Sequence, residues 1–423
     1  MNKMMPALVA GLCLAFFFPP ATPAQSTATP LPAAYRTNVY VPLLKGKRIG
    51  IFANHTATIG NRHLVDTLLS LGLKITKAFG PEHGFRGTAD AGEKVENYND
   101  PSTGIPVISL YGKKRKPTPE DLADVDVLLF DIQDVGTRFY TFISSLQEFM
   151  EAAFENSKPL MILDRPNPNG FYVDGPVLDT AYKSFVGMQP VPVVYGMTVA
   201  EYAMMIAGEK WLSPKANEKH DYYKRAANSK DTAFHFQVIK CANYTHRSRY
   251  KLPIKPSPNL PDEACVYWYA STCFFEGTVL SEGRGTDHPF AIFGHPSLPK
   301  NLYPFSFTPT SRDGAKEPKL KGQECNGMDL YAQYMSGKGV QGKLSIDILI
   351  NAYKAFPDKE KFFTLPKSGN PDKSFFNLLA GGNELMAQLK AGKTEQEIRA
   401  SWQPRLDAFK AIRKKYLFYQ DFE

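Results

Sequence analysis

From Lys47 onward the chain alternates short, continuous apolar runs with segments whose apolar residues recur at helical spacing. Arg48-Ile49-Gly50-Ile51-Phe52 predicts a buried strand, and residues 73–79, 106–110, 125–130 and 160–163 predict four more. Residues 63–71 and 140–156 carry apolar side chains three and four apart and predict amphipathic helices. A further helix is expected over 198–211, where Thr198 and Glu201 have the spacing of a capping box. Strands that are apolar throughout need cover on both faces, and the intervening helices supply it. The expected fold class is therefore α/β, with a doubly wound parallel sheet over residues 45–252.

Beyond residue 253 the pattern is less regular. The aromatic runs 266–269 and 272–275 read as strands, and 346–355 and 394–416 as helices. Together they suggest a smaller α/β domain over 253–423. Residues 212–232 are polar and read as a loop or insertion, and 25–44, rich in Pro, Ala and Thr, as a linker. No internal repeat is visible.

The N-terminus changes the compartment. Lys3, an apolar stretch over residues 7–18 and the small-residue site Thr22-Pro23-Ala24 have the order of a secretory signal peptide, so residues 1–24 are expected to be cleaved. The apolar stretch is shorter than the roughly 20 residues that span a bilayer. Cys13 follows Leu12 inside that stretch and lacks the small preceding residue a lipid-anchored cysteine expects. A periplasmic or secreted protein without membrane insertion follows. The net charge of +8 suits attraction to an anionic polymer or plain solubility, but the basic residues are scattered and the chain is expected to be exported, so nucleic acid is not an expected partner. Cys241, Cys265, Cys273 and Cys325 form no CxxC pair, which argues against a structural zinc site and leaves disulfide pairing open.

In a parallel sheet, ligands bind outside the carboxyl ends of the strands. Polar clusters sit at four of those ends: Asn54-His55-Thr56, the glycine-flanked loop with Glu82 and His83, residues 131–138, and residues 164–170. A carboxyl group partly desolvated in a cleft has a raised pKa and can protonate a leaving oxygen. Glu82 is the first choice for such a general acid; bracing of its loop by Glu82 and His83 is the plainer alternative. Asp131 and Asp134 offer a second carboxylate, although either could pair with Arg138. Arg138 and Arg165 could grip an anionic group through two hydrogen bonds, or brace loops. Asn167 and Asn169 have the chemistry of turn residues. In the second domain, residues 281–287 place Glu282 and Arg284 between glycines that allow close backbone approach to a ligand, or simply a tight turn. No GxGxxG follows the first strand, and P-loop and GxSxG signatures are absent, as is HExxH; His83 with Asp131 and Asp134 is the only metal set the spacing offers.

Taken together, "GIFANHTA", "GPEHGFRG", "TGIPVISLYG", "LLFDIQDVGTRFYTF", "LDRPNPNG", "SEGRGTDHPF" and the closing "SWQPRLDAFKAIRKKYLFY" resemble the exo-acting β-N-acetylmuramidases, a NamZ-like glycoside hydrolase family formerly catalogued as a domain of unknown function. The resemblance runs from about residue 45 to the end; residues 212–232 and 310–325 lie outside its motifs. It implies a Rossmann-like domain, a smaller C-terminal domain and an active site in the cleft between them. It also implies cofactor-free hydrolysis of β-1,4-linked N-acetylmuramic acid (MurNAc) from the non-reducing ends of peptidoglycan-derived muropeptides or MurNAc–GlcNAc oligosaccharides. The family's glutamate in the PEHGF motif falls on Glu82. Asn54, His55, His83, Asp131, Asp134, Gln133, Arg138, Tyr140, Asp164, Arg165, Asn167, Glu282 and Arg284 are expected around the cleft, and the lactyl carboxylate of MurNAc would occupy the arginines. The second catalytic group is left open among Asp131, Asp134, Glu282 and the substrate's acetamido oxygen. The rival readings are a non-catalytic muropeptide binder and a metal-dependent esterase or deacetylase acting on the same polymer.

Overall fold

A computed structural model describes residues 28–82, 84–87, 96–226, 234–339 and 342–423. The expected signal peptide lies outside these residues. The described chain opens with α1 (Thr37–Leu44) and β1 (Arg48–Ala53), then a small hairpin of β2 (Thr58–Ile59) and β3 (Arg62–His63). There follow α2 (Leu64–Ser70), β4 (Lys74–Gly80), β5 (Tyr98–Asn99), β6 (Pro106–Ser109), β7 (Val127–Asp131), α3 (Phe142–Glu155) and β8 (Leu160–Leu163). Helices α4 (Val199–Gly208) and α5 (Pro214–Ala226) and strand β9 (Phe236–Ile239) complete this half.

These strands form a sheet in the order β5-β6-β4-β1-β7-β8-β9, parallel except for the two-residue edge strand β5. Strand β1 pairs with β4 on one side and β7 on the other. The chain therefore winds outward from β1 in one direction and then resumes beside β1 in the other, as a doubly wound sheet does. Alternation along each strand separates two cores. Ile49, Ile51, Val127, Leu129, Met161 and Leu163 face α1 and α2, while Phe52, Leu128, Phe130, Leu160 and Ile162 face α3 and α4. Period-two side-chain direction makes a continuous apolar run serve both faces. Gly50 lets the strands pack closely at the centre, since a Cβ there would lie 3.0 Å from Leu128 and 3.2 Å from Phe79 and would push these side chains aside.

Three departures from the sequence reading are informative. The supposed linker is helical over α1, and Tyr40 and Leu44 seal the second face of the sheet. The polar segment after residue 212 is α5, packed on α3. Beyond it lies the unanticipated strand β9, half-buried at the sheet edge, where apolar patterning is weakest.

The C-terminal half contains α6 (Glu263–Thr272), a 3-10 turn over Cys273–Gly277, and β10 (Ile292–His295), β11 (Phe305–Phe307) and β12 (Cys325–Asp329) in the antiparallel order β10-β12-β11. Helices α7 (Leu330–Met335), α8 (Ile346–Ala355), α9 (Phe375–Ala380), α10 (Glu384–Lys390) and α11 (Glu395–Lys414) follow. The runs 266–269 and 272–275, expected as strands, are α6 and the 3-10 turn. Asp262 caps α6 through the backbone N–H of Cys265 at 2.9 Å, and every residue from Ala264 to Thr272 is buried. A helix apolar on all sides shows no 3.6-residue period, so its β-branched and aromatic composition misleads. The large core beneath α3 and α4 continues without a break into α6, α8 and α11. Among the described residues no helix is long and apolar enough to cross a membrane.

Candidate active-site cleft

The winding switch between β1 and β7 is where an open α/β sheet usually binds ligands. Here that point is filled by the protein's own polar groups. Asn54 Oδ1 accepts from the N–H and hydroxyl of Thr56, at 3.0 and 2.6 Å, and the Thr56 hydroxyl accepts from the Gln133 N–H at 3.0 Å. The Gln133 side chain donates to the carbonyls of Asp134 and Pro166, both at 2.8 Å. Asp131 receives Arg165 through both oxygens, at 2.5 and 2.8 Å, with both side chains buried. It is Arg165, not Arg138, that pairs with Asp131.

The neighbouring candidates are scaffold as well. Asp134 accepts from the Gly136 N–H at 2.7 Å and from the Tyr195 hydroxyl; burial pushes its carboxyl up to about 7 against the pull of these donors. Asp164 accepts from the Ala200 N–H at 3.1 Å and the Tyr419 hydroxyl at 2.6 Å, and burial raises it likewise to about 7. Arg138 has no exposure and donates to the carbonyls of Pro176, Val191 and Leu379, at 2.7–2.8 Å. Burial without a carboxylate pulls its guanidinium down to about 9. Asn167 donates to Met197 O and accepts from the Asn169 N–H, both at 2.8 Å, shaping the turn. His55 Nε2 lies 2.9 Å from the Lys255 carbonyl, and its ring packs so closely on Gly87 that a Cβ there would sit 2.3 Å from Nδ1. His83 lies outside the described residues.

A cleft of about 320 Å³ opens beside this scaffold, between the two halves. Glu82 enters it from the loop after β4, with Tyr111, Arg115 and Tyr140 from the same half and Glu276 and Arg284 from the other. The Tyr111 hydroxyl donates to Glu82 Oε1 at 2.8 Å. Burial, and then the Glu82 carboxylate, hold the Tyr111 phenol well above its usual range, so it stays a donor. Tyr140 donates to the Pro256 carbonyl at 2.8 Å, tying the rims together. A neighbouring cavity of about 470 Å³ shares Leu260 with the cleft. Glu82 lines the smaller space and not this one.

Across the cleft, Arg284 donates to Glu276 Oε1 through Nη2 at 2.7 Å and Nε at 3.2 Å. Burial lowers the Arg284 guanidinium, but the Glu276 and Glu282 carboxylates outweigh it and hold it above its usual value. The Cys273 thiol, raised by burial and then by Glu276, donates to Glu276 Oε2 at 3.3 Å. Glu282, expected to face the cleft, is buried and lies 2.8 Å from Lys319 Nζ and 3.4 Å from Arg284. Lys319 also caps the carbonyls of Phe275, Thr278 and Leu280, so the 310–325 segment props up this wall. Gly283 and Gly285 have left-handed φ of 82° and 80°, and a Cβ at Gly285 would meet Thr310 O at 2.4 Å. These glycines admit the protein's own chain, not a ligand.

Among the described residues, Glu82, Tyr140 and Arg284 are therefore the sequence candidates that line the cleft. Sequence reasoning missed Tyr111, Arg115 and Glu276. Tyr111 lies next to the end of the quoted TGIPVISLYG stretch, just beyond the carboxyl end of β6, a signal that could have found it. Glu276 directly follows the run 272–275 taken for a strand and carried no signal. The metal set does not assemble from its described members, because Asp131 is held by Arg165 and Asp134 by Tyr195. The four cysteines of the described chain are buried free thiols.

Comparison with known proteins agrees with this two-part layout. The family model described as exo-beta-N-acetylmuramidase NamZ, N-terminal, matches residues 49–264, and its C-terminal counterpart matches 267–419. The chain is 38% identical over 399 residues to the peptidoglycan beta-N-acetylmuramidase NamZ of Bacillus subtilis, covering 90% of this chain and 89% of that protein. Two DUF1343 family proteins of Bacteroides fragilis share the fold in their crystal structures. One has a TM-score of 0.79 at 41% identity, covering 93% of this chain and all of that one; the other has 0.73 at 27%, covering 92% and 99%. The chain belongs to the NamZ family of exo-β-N-acetylmuramidases.

Proposed function

We propose that this chain hydrolyses terminal MurNAc from the non-reducing ends of peptidoglycan fragments, with Glu82 as general acid. The observation that carries the assignment is Glu82 itself. It is the sheet-edge carboxyl that reaches the cleft, and its Oε1 is held by the Tyr111 hydroxyl opposite a second carboxylate, Glu276. Glycoside hydrolysis needs such an acid beside the scissile oxygen, commonly with a second group across the sugar. In the proposed step the Glu82 proton passes to the glycosidic oxygen as the bond from C1 to that oxygen breaks. Water then adds its oxygen to C1 while a base takes its proton, either Glu276 or the Glu82 carboxylate that the first step leaves. Glu276, held by Arg284 and Cys273, takes the place of Asp131, Asp134 and Glu282 among the candidates for the second group. The substrate's own acetamido oxygen stays beside it as the other.

Muropeptides and MurNAc–GlcNAc oligosaccharides are the proposed substrates, met in the periplasm or outside the cell. The charged, apolar and small-residue order at residues 1–24 supports export.

A chromogenic β-MurNAc glycoside, with the β-GlcNAc compound as control, tests the reading. The wild type should release chromophore from the first and much less from the second. Glu82→Gln should fold normally and lose about 10²- to 10⁴-fold in kcat. Near-wild-type turnover in that variant would sink the general-acid role. Binding of a MurNAc–GlcNAc disaccharide without any cleavage would favour a muropeptide carrier, and loss of activity to a chelator a metal-dependent esterase or deacetylase.

A further inference from the structure

Removing MurNAc but not GlcNAc requires a group that reads the lactyl carboxylate, the chemical difference between the two sugars. Arg138 and Arg165, expected for this from the sequence, are sealed inside the scaffold. Arg284 reaches the cleft but is engaged by Glu276 and Glu282. Among the described residues, the other cation lining the cleft is Arg115.

Arg115 is exposed, and its guanidinium carbon lies 3.9 Å from the centre of the Phe185 ring, which lines the same cleft. No carboxylate among the described residues lies within ion-pair distance of it. Stacking on an aromatic face leaves the edge N–H donors of a guanidinium directed outward in one plane, and that fork matches a carboxylate. Tyr111, four residues earlier in the same connection after β6, holds Glu82. One loop thus presents the proton donor's partner and a preorganised cation to the same space.

We infer that Arg115, stacked on Phe185, is the specificity-determining residue that binds the lactyl carboxylate of the terminal MurNAc. This rests on the hydrolase reading above. The pairing also explains an exposed arginine lining the cleft with no carboxylate at ion-pair distance among the described residues. The cation is held in place by the ring, and the substrate supplies its counter-charge.

The test compares the chromogenic β-MurNAc glycoside with the same compound carrying its lactyl acid as the neutral amide. The wild type should prefer the acid, and Arg115→Gln should lose that preference. Its kcat/KM on the acid should fall about 10- to 100-fold, mostly through KM. Arg115→Lys should recover part of the preference, and Phe185→Leu should lose part of it, since a point charge and an unsupported fork each keep some attraction. A wild type indifferent to the amide overturns the inference, as does an Arg115→Gln variant that keeps the wild-type acid-to-amide ratio. If the wild type cleaves neither compound, the hydrolase reading fails separately. Calorimetric titration with a MurNAc–GlcNAc disaccharide then decides, and equal affinity of wild type and Arg115→Gln overturns the carboxylate assignment.

Discussion

Glu82 and Asp134 are carboxyls beyond the carboxyl ends of the same sheet, and their surroundings separate their chemistry. Glu82 is partly exposed in a cleft and shares one oxygen with a phenol, whereas Asp134 is enclosed. Because burial raises Asp134 from an ordinary carboxyl value to about 7, its neutral form is favoured in the folded state. A carboxyl raised on folding contributes stability that is full below the unfolded pKa, near 4, and is lost as pH rises towards 7. Asp134→Asn carries no such charge. Its stability relative to wild type should therefore improve from pH 4 to pH 8, by up to about 4 kcal/mol. Denaturant titrations at several pH values measure this, and a difference that does not change with pH would show that Asp134 ionises freely. Arg138 illustrates the same point for a cation, since three carbonyl acceptors, one 241 residues away, make it a brace.

At the scale of elements, the strands of the parallel sheet were legible because each is a short apolar run bounded by polar loops. The helices α3, α4 and α11 were legible from their period, and the capping boxes at Thr198–Glu201 and Thr394–Glu397 are formed. Helix α6 was not, because it is buried all round. Its start depends on Asp262, whose side chain satisfies a terminal N–H. Replacing an N-cap carboxylate by alanine removes that bond, so Asp262→Ala should cost about 1 kcal/mol. Chemical denaturation is the measurement, and an unchanged midpoint would mean that packing alone sets the end of α6. This helix precedes the turn bearing Glu276, so its register fixes one wall of the cleft.

Across the whole molecule, the C-terminus closes back onto the N-terminal sheet. Beyond α11, Tyr419 donates to Asp164, and the Phe418 N–H donates to Glu201 at 3.0 Å. Arg413 bridges the Gly196 carbonyl, at 2.7 Å, and Asp421. Tyr419→Phe leaves the buried Asp164 without one of its donors, and a buried acceptor left unsatisfied costs about 1–3 kcal/mol. The melting temperature should fall while KM for the β-MurNAc glycoside stays near wild type, because this contact lies outside the cleft. A variant with normal stability and altered KM would instead place the tail in substrate binding.

By itself the sequence determined the alternation of strand and helix, the parallel sheet and the polar loops at its carboxyl edge. These follow from local spacing, and the glutamate of one loop stood out as a candidate proton donor. Tertiary structure alone decided which polar residues face the cleft. Asp131 meets Arg165, Asp164 meets Tyr419 and Arg138 meets Leu379 through contacts spanning 34 to 255 residues, and each contact removes a candidate from the site. A buried charge must find a partner or shift its pKa, and no short-range pattern says where along the chain that partner lies. For the same reason Glu276 and Arg115 became visible only when two distant segments closed around one space.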